Sequence, residues 1–247
     1  MPATGFGTFA QEFAVSHQAF DKLLEQLAGR HMGMAGMVQQ AVAIAVEAVL
    51  KLDVAAAKKV LQGETLIDAE DVEVERQAIN LMLLHHPTAQ DFRIVLSIVK
   101  ANSDLERIGD CAVNIAQQVP AIHYGMAREM LEDPNADTRP EVPRDMRLLA
   151  EATLKQVQDT VRCLSTREQK LAEEICRADD VVDALNSQIL RDLTAEMEEK
   201  RDSVPADLGL ILAAKNFERI GDHCTNIAED IVYLARGEIV RHAHERP

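Results

Sequence analysis

Apolar positions recur every three or four residues along most of the chain, the period of a helix with one buried face. The clearest run is Phe92, Val95, Val99, Asn102, Glu106, Asp110 and Val113, an apolar stripe whose continuation turns acidic. Capping and proline signals mark the breaks between such runs. Asp53 is placed to cap a helix reaching about His85, and Pro87 breaks it. Thr88 with Asp91 spells a capping box that opens the next helix, and Thr166 with Gln169 spells another. Arg201–Pro205 is a further break, and Gly237 is a candidate C-cap. The pattern predicts an all-α chain of six helices. The first runs from Phe9 to about Lys51, the second from Asp53 to about His85, and the third starts at Thr88. The fourth is Arg144–Ser165, the fifth opens at Thr166, and the sixth ends near Arg236.

The six fall into two sets of three. Glu106-Arg107-Ile108-Gly109-Asp110 recurs as Glu218-Arg219-Ile220-Gly221-Asp222, and Asn114-Ile115-Ala116 recurs as Asn226-Ile227-Ala228. A single repeat of this length implies duplication into two units, not a solenoid. Pro120, Pro134, Pro140 and Pro143 crowd the stretch between them, where they favour a loop. The expectation is two tandem three-helix bundles, 1–120 and 144–240. Residues 121–143 would be a linker or helix extension with few contacts, and 241–247 a polar tail.

Composition agrees with helices. Aromatic residues are 3% and Trp is absent, poor material for a β-sandwich, whereas Ala, Leu, Ile, Val and Glu dominate. A formal net charge of −15 argues against a nucleic-acid partner, which would need clustered Lys and Arg. Cys111, Cys163, Cys176 and Cys224 form no Cys-x-x-Cys pair and read as reduced, mostly buried thiols. No signal-peptide pattern is present, and no uninterrupted apolar run reaches the roughly 18–20 residues of a membrane span. These features together predict a cytoplasmic location.

The acids on the third stripe carry the candidate chemistry. Glu106 and Asp110 are four residues apart, so they stack on one helix face. Two carboxylates there repel each other and resist burial, so a metal ion, an arginine or protonation must compensate. Gly109 and Gly221 lie mid-helix, at a cost of about 1 kcal/mol each relative to Ala, and allow close approach of a backbone or ligand. The preceding helix of each half offers complementary pairs: Glu64 with Asp68, and Asp179 with Asp183. Glu64, Asp68, Glu106, Asp110, Asp179, Asp183, Glu218 and Asp222 are the candidate metal ligands. An all-oxygen cage suits Mg²⁺, Mn²⁺, Ca²⁺ or Fe³⁺ more than Cu⁺ or structural Zn²⁺. The first half adds Asp71 and Glu75 where the second has Asn186 and Leu190, so it is expected to hold a cation more tightly. Acids spaced by four are also common on solvated faces, and Arg107 and Arg219 could simply pair with them. Recurrence of the same arrangement beside the same glycine favours a site.

Other residues weigh less. His85-His86 reads as a cap or exposed pair, and Met32, Met34 and Met37 as packing or a contact surface. His223 and Cys224 point away from the Asp222 face. No dinucleotide loop, P-loop or nucleophile elbow occurs, and no Glu-x-x-His of a di-iron oxidase.

The paired segments DLERIGDCAVNIA and NFERIGDHCTNIAEDI, together with HHPTAQDFRIVLSIVKAN, resemble the PhoU family of phosphate-specific transport accessory proteins. The resemblance spans about residues 8 to 240. It implies two three-helix bundles with a Glu/Asp-x-x-x-Asp motif on two helices of each, binding a multinuclear metal cluster of iron, manganese, magnesium or zinc. Carried over, the motifs fall on Glu64, Asp68, Glu106 and Asp110, and on Asp179, Asp183, Glu218 and Asp222. The second half departs from the family pattern at the turn, with Val204-Pro205-Ala206-Asp207 where the first has His86-Pro87-Thr88-Ala89. The resemblance further implies a non-enzymatic negative regulator of the phosphate-starvation response, usually a homodimer. It would link the Pst phosphate transporter ATPase at the inner membrane to a PhoR-type sensor kinase. Two rival readings of the acids are a metal-dependent phosphoester hydrolase and a helical adaptor without metal.

Overall fold

The structure is a computed structural model that describes residues 6–85, 87–132 and 142–236. Six helices follow one another: α1 (Phe6–Lys51), α2 (Val54–His85), α3 (Ala89–Glu132), α4 (Arg144–Thr166), α5 (Gln169–Glu199) and α6 (Val204–Arg236). The first three pack as one bundle and the last three as another.

Most boundaries follow the local chemistry. Asp53 Oδ1 accepts from the Ala55 and Ala56 amides at 2.9 and 3.0 Å and starts α2. Leu52, just before it, takes a left-handed φ of 54° that lets the chain turn sharply between α1 and α2. Thr88 Oγ1 accepts from the Asp91 amide at 3.3 Å and donates to Asp91 Oδ2 at 2.6 Å, closing the capping box of α3. The second expected box does not form. Thr166 is the last residue of α4, and Glu168 precedes α5 without a side-chain cap. Arg167 sits between them in the left-handed region at φ 54°, its amide bonded to the Cys163 carbonyl at 2.7 Å. The tight reversal uses Thr166 to finish one helix, which leaves it unable to open the next.

Pro120 does not end α3, which continues to Glu132. Nor are the residues beyond it free of contacts, as expected of a linker. Ile122 is fully buried against Gly209 of α6, and Gly125 lies against Ala206. The rest of the proline-rich stretch, 133–141, lies outside the described residues, as do His86, Gly237 and the tail.

α3 and α6 form the seam between the bundles. Lys100 pairs with Asp230 at 3.3 Å, Asp104 with His223 at 2.8 Å and with Asn226 at 3.2 Å, and Ile122 meets Gly209. Position rises on one helix as it falls on the other, so they run antiparallel. One apolar core crosses this seam, from Met34, Val38 and Ile108 to Phe217, Ile220 and Ile175. A smaller cluster around Phe20, Leu27, Val74 and Leu81 closes one end of the first bundle.

Residues Ala19–Lys51 of α1 form a helix long and apolar enough to cross a membrane, with a mean hydropathy of 1.5 in its most apolar window. The uninterrupted-run criterion passed over it because Glu47 and scattered polar residues divide it. Its apolar side faces α2, α3 and α4, with Val38, Val42, Ala45 and Val49 fully buried.

Candidate metal centres

The burial pattern sets which acids correspond between the halves. On α2 the core positions are Ile67, Val74 and Ala78; on α5 they are Val182, Ile189 and Leu193. Glu64 and Asp68 therefore flank Ile67 as Asp179 and Asp183 flank Val182. The glycines confirm the register: a Cβ on Gly109 would stand 3.3 Å from Ile67, and one on Gly221 would stand 3.3 Å from Val182.

In the first half, Glu106 and Asp110 are half-buried on α3. Burial raises the Glu106 pKa, and the nearby charge of Asp110 adds to it, with Asp71 and Asp68 contributing from α2. Arg107 opposes this, its guanidinium 3.4 Å from Glu106 and 3.5 Å from Asp110. Asp68 is exposed and Glu64 half-exposed; neither makes a hydrogen bond or ion pair among the described residues. Asp71 belongs to this group more closely than sequence spacing suggested. Its Oδ1 accepts from Asn102 Nδ2 at 2.6 Å, and burial followed by repulsion from Glu75 and Asp68 raises its pKa.

In the second half, Asp179 is the acid of the cluster whose pKa is raised furthest. Burial raises its pKa to about 6, partly offset by a hydrogen bond from Gln156, while Asp183 and Asp222 push it further up. Asp183 and Asp222 are also raised, by burial first and then by Glu218. Glu218 Oε1 accepts from Lys215 Nζ at 2.6 Å, but its Oε2 is buried with no partner. Arg219, the counterpart of Arg107, makes no ion pair with these acids among the described residues.

Asp68, Asp71, Glu106 and Asp110 thus act on one another across α2 and α3, and Asp179, Asp183, Glu218 and Asp222 across α5 and α6, while Glu64 precedes Asp68 by one turn on α2. Among the described residues, no three Asp, Glu, His or Cys side chains converge closely enough, as they stand, to ligate one ion. The donor set still fits a hard cation. Mutually repelling carboxylates, one with a buried orphan oxygen, are short of positive charge, and a mid-helix glycine leaves a cradle beside Asp179 that a Cβ would fill. Each half already holds one partial counter-charge, Arg107 in the first and Lys215 in the second.

Two polar residues escaped the sequence reading: His31, bonded to Asn102, and Gln156, bonded to Asp179. His31 interrupts an apolar stripe and Gln156 shares its stripe with Thr153 and Thr160, and those polar positions were the available signal. His223 does point away from the acids, toward Asp104. His85 stacks edge-on against Phe20, and Met34 is fully buried. Phe92, expected to face inward, is 45% exposed, because the stripe enters the bundle only one turn later at Val95.

The PhoU domain matches the chain twice, at residues 32–119 and 146–231, once over each bundle. The chain belongs to the PhoU family. It is 34% identical over 89% of its length to a phosphate-specific transport system accessory protein PhoU homolog of Rhizobium meliloti, covering 88% of that protein. It is 35% identical over 90% of its length to the Aquifex aeolicus homolog, covering 96% of it. The crystal structure of PhoU from Pseudomonas aeruginosa superposes with a TM-score of 0.80 at 29% identity, over 89% of this chain and all of that one. A Streptococcus pneumoniae phosphate transport regulatory protein, 23% identical with a TM-score of 0.77 over 90% of this chain, shares the fold. These PhoU relatives are named as accessory and regulatory proteins, not as enzymes.

Proposed function

We propose that this chain is a cytoplasmic, metal-binding negative regulator of phosphate uptake and of the phosphate-starvation response. In this reading it docks on the ATPase of the Pst phosphate transporter and links it to a PhoR-type sensor kinase, acting as a homodimer. The observation that carries the reading is the near full-length match to proteins named as accessories of phosphate-specific transport. The clustered acids support the metal, whose role when bound would be to supply the positive charge the carboxylates lack. Glu64, Asp68, Glu106 and Asp110 would hold it in one half, with Asp71 beside them, and Asp179, Asp183, Glu218 and Asp222 in the other. The hydrolase reading gains no support, since neither cluster has a group placed as a phosphate cradle.

Deleting the gene should derepress a phosphate-starvation reporter in phosphate-rich medium. A reporter that stays repressed would refute the regulatory role. Glu106→Ala with Asp110→Ala should lower the metal content of purified protein by the share of one half, read by elemental analysis. Unchanged stoichiometry would remove the first cluster from the site.

A further inference from the structure

Gln156 is an unexpected polar residue in the core. It belongs to α4, the helix of the second half that carries none of the eight acids, on the buried stripe with Thr153 and Thr160. Only 2% of it is exposed. Its Nε2 donates to Asp179 Oδ1 at 3.2 Å and to the Ile175 carbonyl at 3.4 Å. Its Oε1 is buried without a hydrogen-bond partner. A native core rarely leaves an amide oxygen in that state, so the atom calls for an explanation.

Gly221, having no side chain, lets these oxygens come close to α6. A Cβ on Gly221 would stand 2.5 Å from Asp179 Oδ1 and 3.1 Å from Gln156 Oε1. Oxygens from α4 and α5 therefore converge on one point of α6, next to Asp222 and one turn from Glu218. The first half has no such convergence. A Cβ on Gly109 would meet only the apolar side chains of Ile67 and Val38. The core positions Leu149, Thr153 and Val157 of α4 repeat Met34, Val38 and Val42 of α1, which puts Ala41 at the place of Gln156.

We propose that the Gln156 amide oxygen is a neutral ligand of the second-half cation site, joining Asp179 and the acids of α6. This rests on the metal-binding reading above. Amide carbonyls are ordinary ligands of hard divalent cations. With Gln156 included, a cation draws on all three helices of the half, not only α5 and α6. Because α4 packs on α1 as α6 packs on α3, a site that includes Gln156 bears on both contacts between the halves, whereas one confined to α5 and α6 reaches only the α3–α6 seam.

The test uses the full chain carrying Glu106→Ala and Asp110→Ala, so that only the second-half site remains, with Mn²⁺ as the probe and free Mn²⁺ read by electron paramagnetic resonance. Gln156→Met keeps the length and removes the oxygen, and should weaken Mn²⁺ binding at least about tenfold. Gln156→Glu keeps an oxygen while losing the amide donor to Asp179, and should bind Mn²⁺ at least as tightly as the parent. Binding of Gln156→Met as tight as the parent's would overturn the proposal. So would equal weakening in both variants, which would assign Gln156 to holding Asp179 and Ile175 alone. A parent that binds no Mn²⁺ would overturn the metal reading itself and the ligand role with it. Circular dichroism without Mn²⁺ checks folding. If Gln156→Met does not fold, Gln156→Leu takes its place, and Gln156→Glu still separates the two roles.

Discussion

His31, Asn102 and Asp71 form a polar thread through the first bundle. His31 is 4% exposed, its Nδ1 3.3 Å from Asn102 Oδ1, and Asn102 Nδ2 donates to both the side chain and the carbonyl of Asp71. Burial lowers the His31 pKa, with the Asn102 contact opposing. The folded protein therefore keeps His31 neutral at a pH where the unfolded chain takes up a proton. Its contribution to stability is present above the unfolded value of about 6.5 and is lost as pH falls from there toward the lowered folded value. His31→Leu has no such proton to gain. Urea denaturation at pH 7 and pH 5 should show the stability difference moving in favour of His31→Leu at the lower pH. A difference that stays constant would place the His31 pKa at its ordinary value. Spacing alone did not expose this thread, because Asn102 was legible as part of a stripe but its partner on α1 was not.

At the scale of elements, α3 shows why local breaking signals can fail. Proline removes one backbone donor and crowds the preceding turn, yet Pro120 lies inside a 44-residue helix. Packing overrides it: Val119 is buried, and Ile122 and Gly125 are buried against the other half. Gly125 is where this contact is tightest, since a Cβ there would stand 2.8 Å from Ala206 Cβ and 2.9 Å from the Ala206 amide nitrogen. Gly125→Ala should destabilise by about 1–3 kcal/mol, the usual cost of overpacking, because α3 must move away from α6. Gly63, in the middle of α2, has nothing within 4 Å of its Cβ position. Gly63→Ala should therefore stabilise, by up to about 1 kcal/mol from helix propensity. Thermal unfolding of the two variants checks both signs. Equal effects would mean that the close approach at Gly125 does not govern stability. The capping residues behaved as their sequence predicted where a real gap separates helices, at Asp53 and Thr88, and not at Thr166, where the turn is too short for a separate cap.

For the whole molecule, the shared core changes what duplication means. Two units with few mutual contacts would each stay folded when cut apart. Here the α3–α6 seam buries Ile122 and Gly209 together, carries the Lys100–Asp230 and Asp104–His223 pairs, and continues one apolar core through both bundles. A fragment ending near Pro120 and one starting near Arg144 should each expose part of that core. We expect each alone to bind a hydrophobic dye and unfold without cooperativity, and the two mixed to recover a cooperative transition by circular dichroism. Fragments that fold independently would restore the picture of separate domains.

The helical class, the six helices, the duplication and the spacing of the eight acids were legible in the sequence. All of them rest on periodicity, capping and repetition, which act over a few residues or by direct comparison of one segment with another. What only the tertiary structure decided are relations between residues far apart in the chain. Arg107 reaches its own acids, whereas in the second half Lys215, not Arg219, pairs with Glu218. Asp71 is tied inward to Asn102. Gln156 meets Asp179 from a third helix, and Pro120 is carried through by packing. Each depends on which helix faces which and at what register. A helical period specifies the buried face of one helix but not the neighbour that covers it.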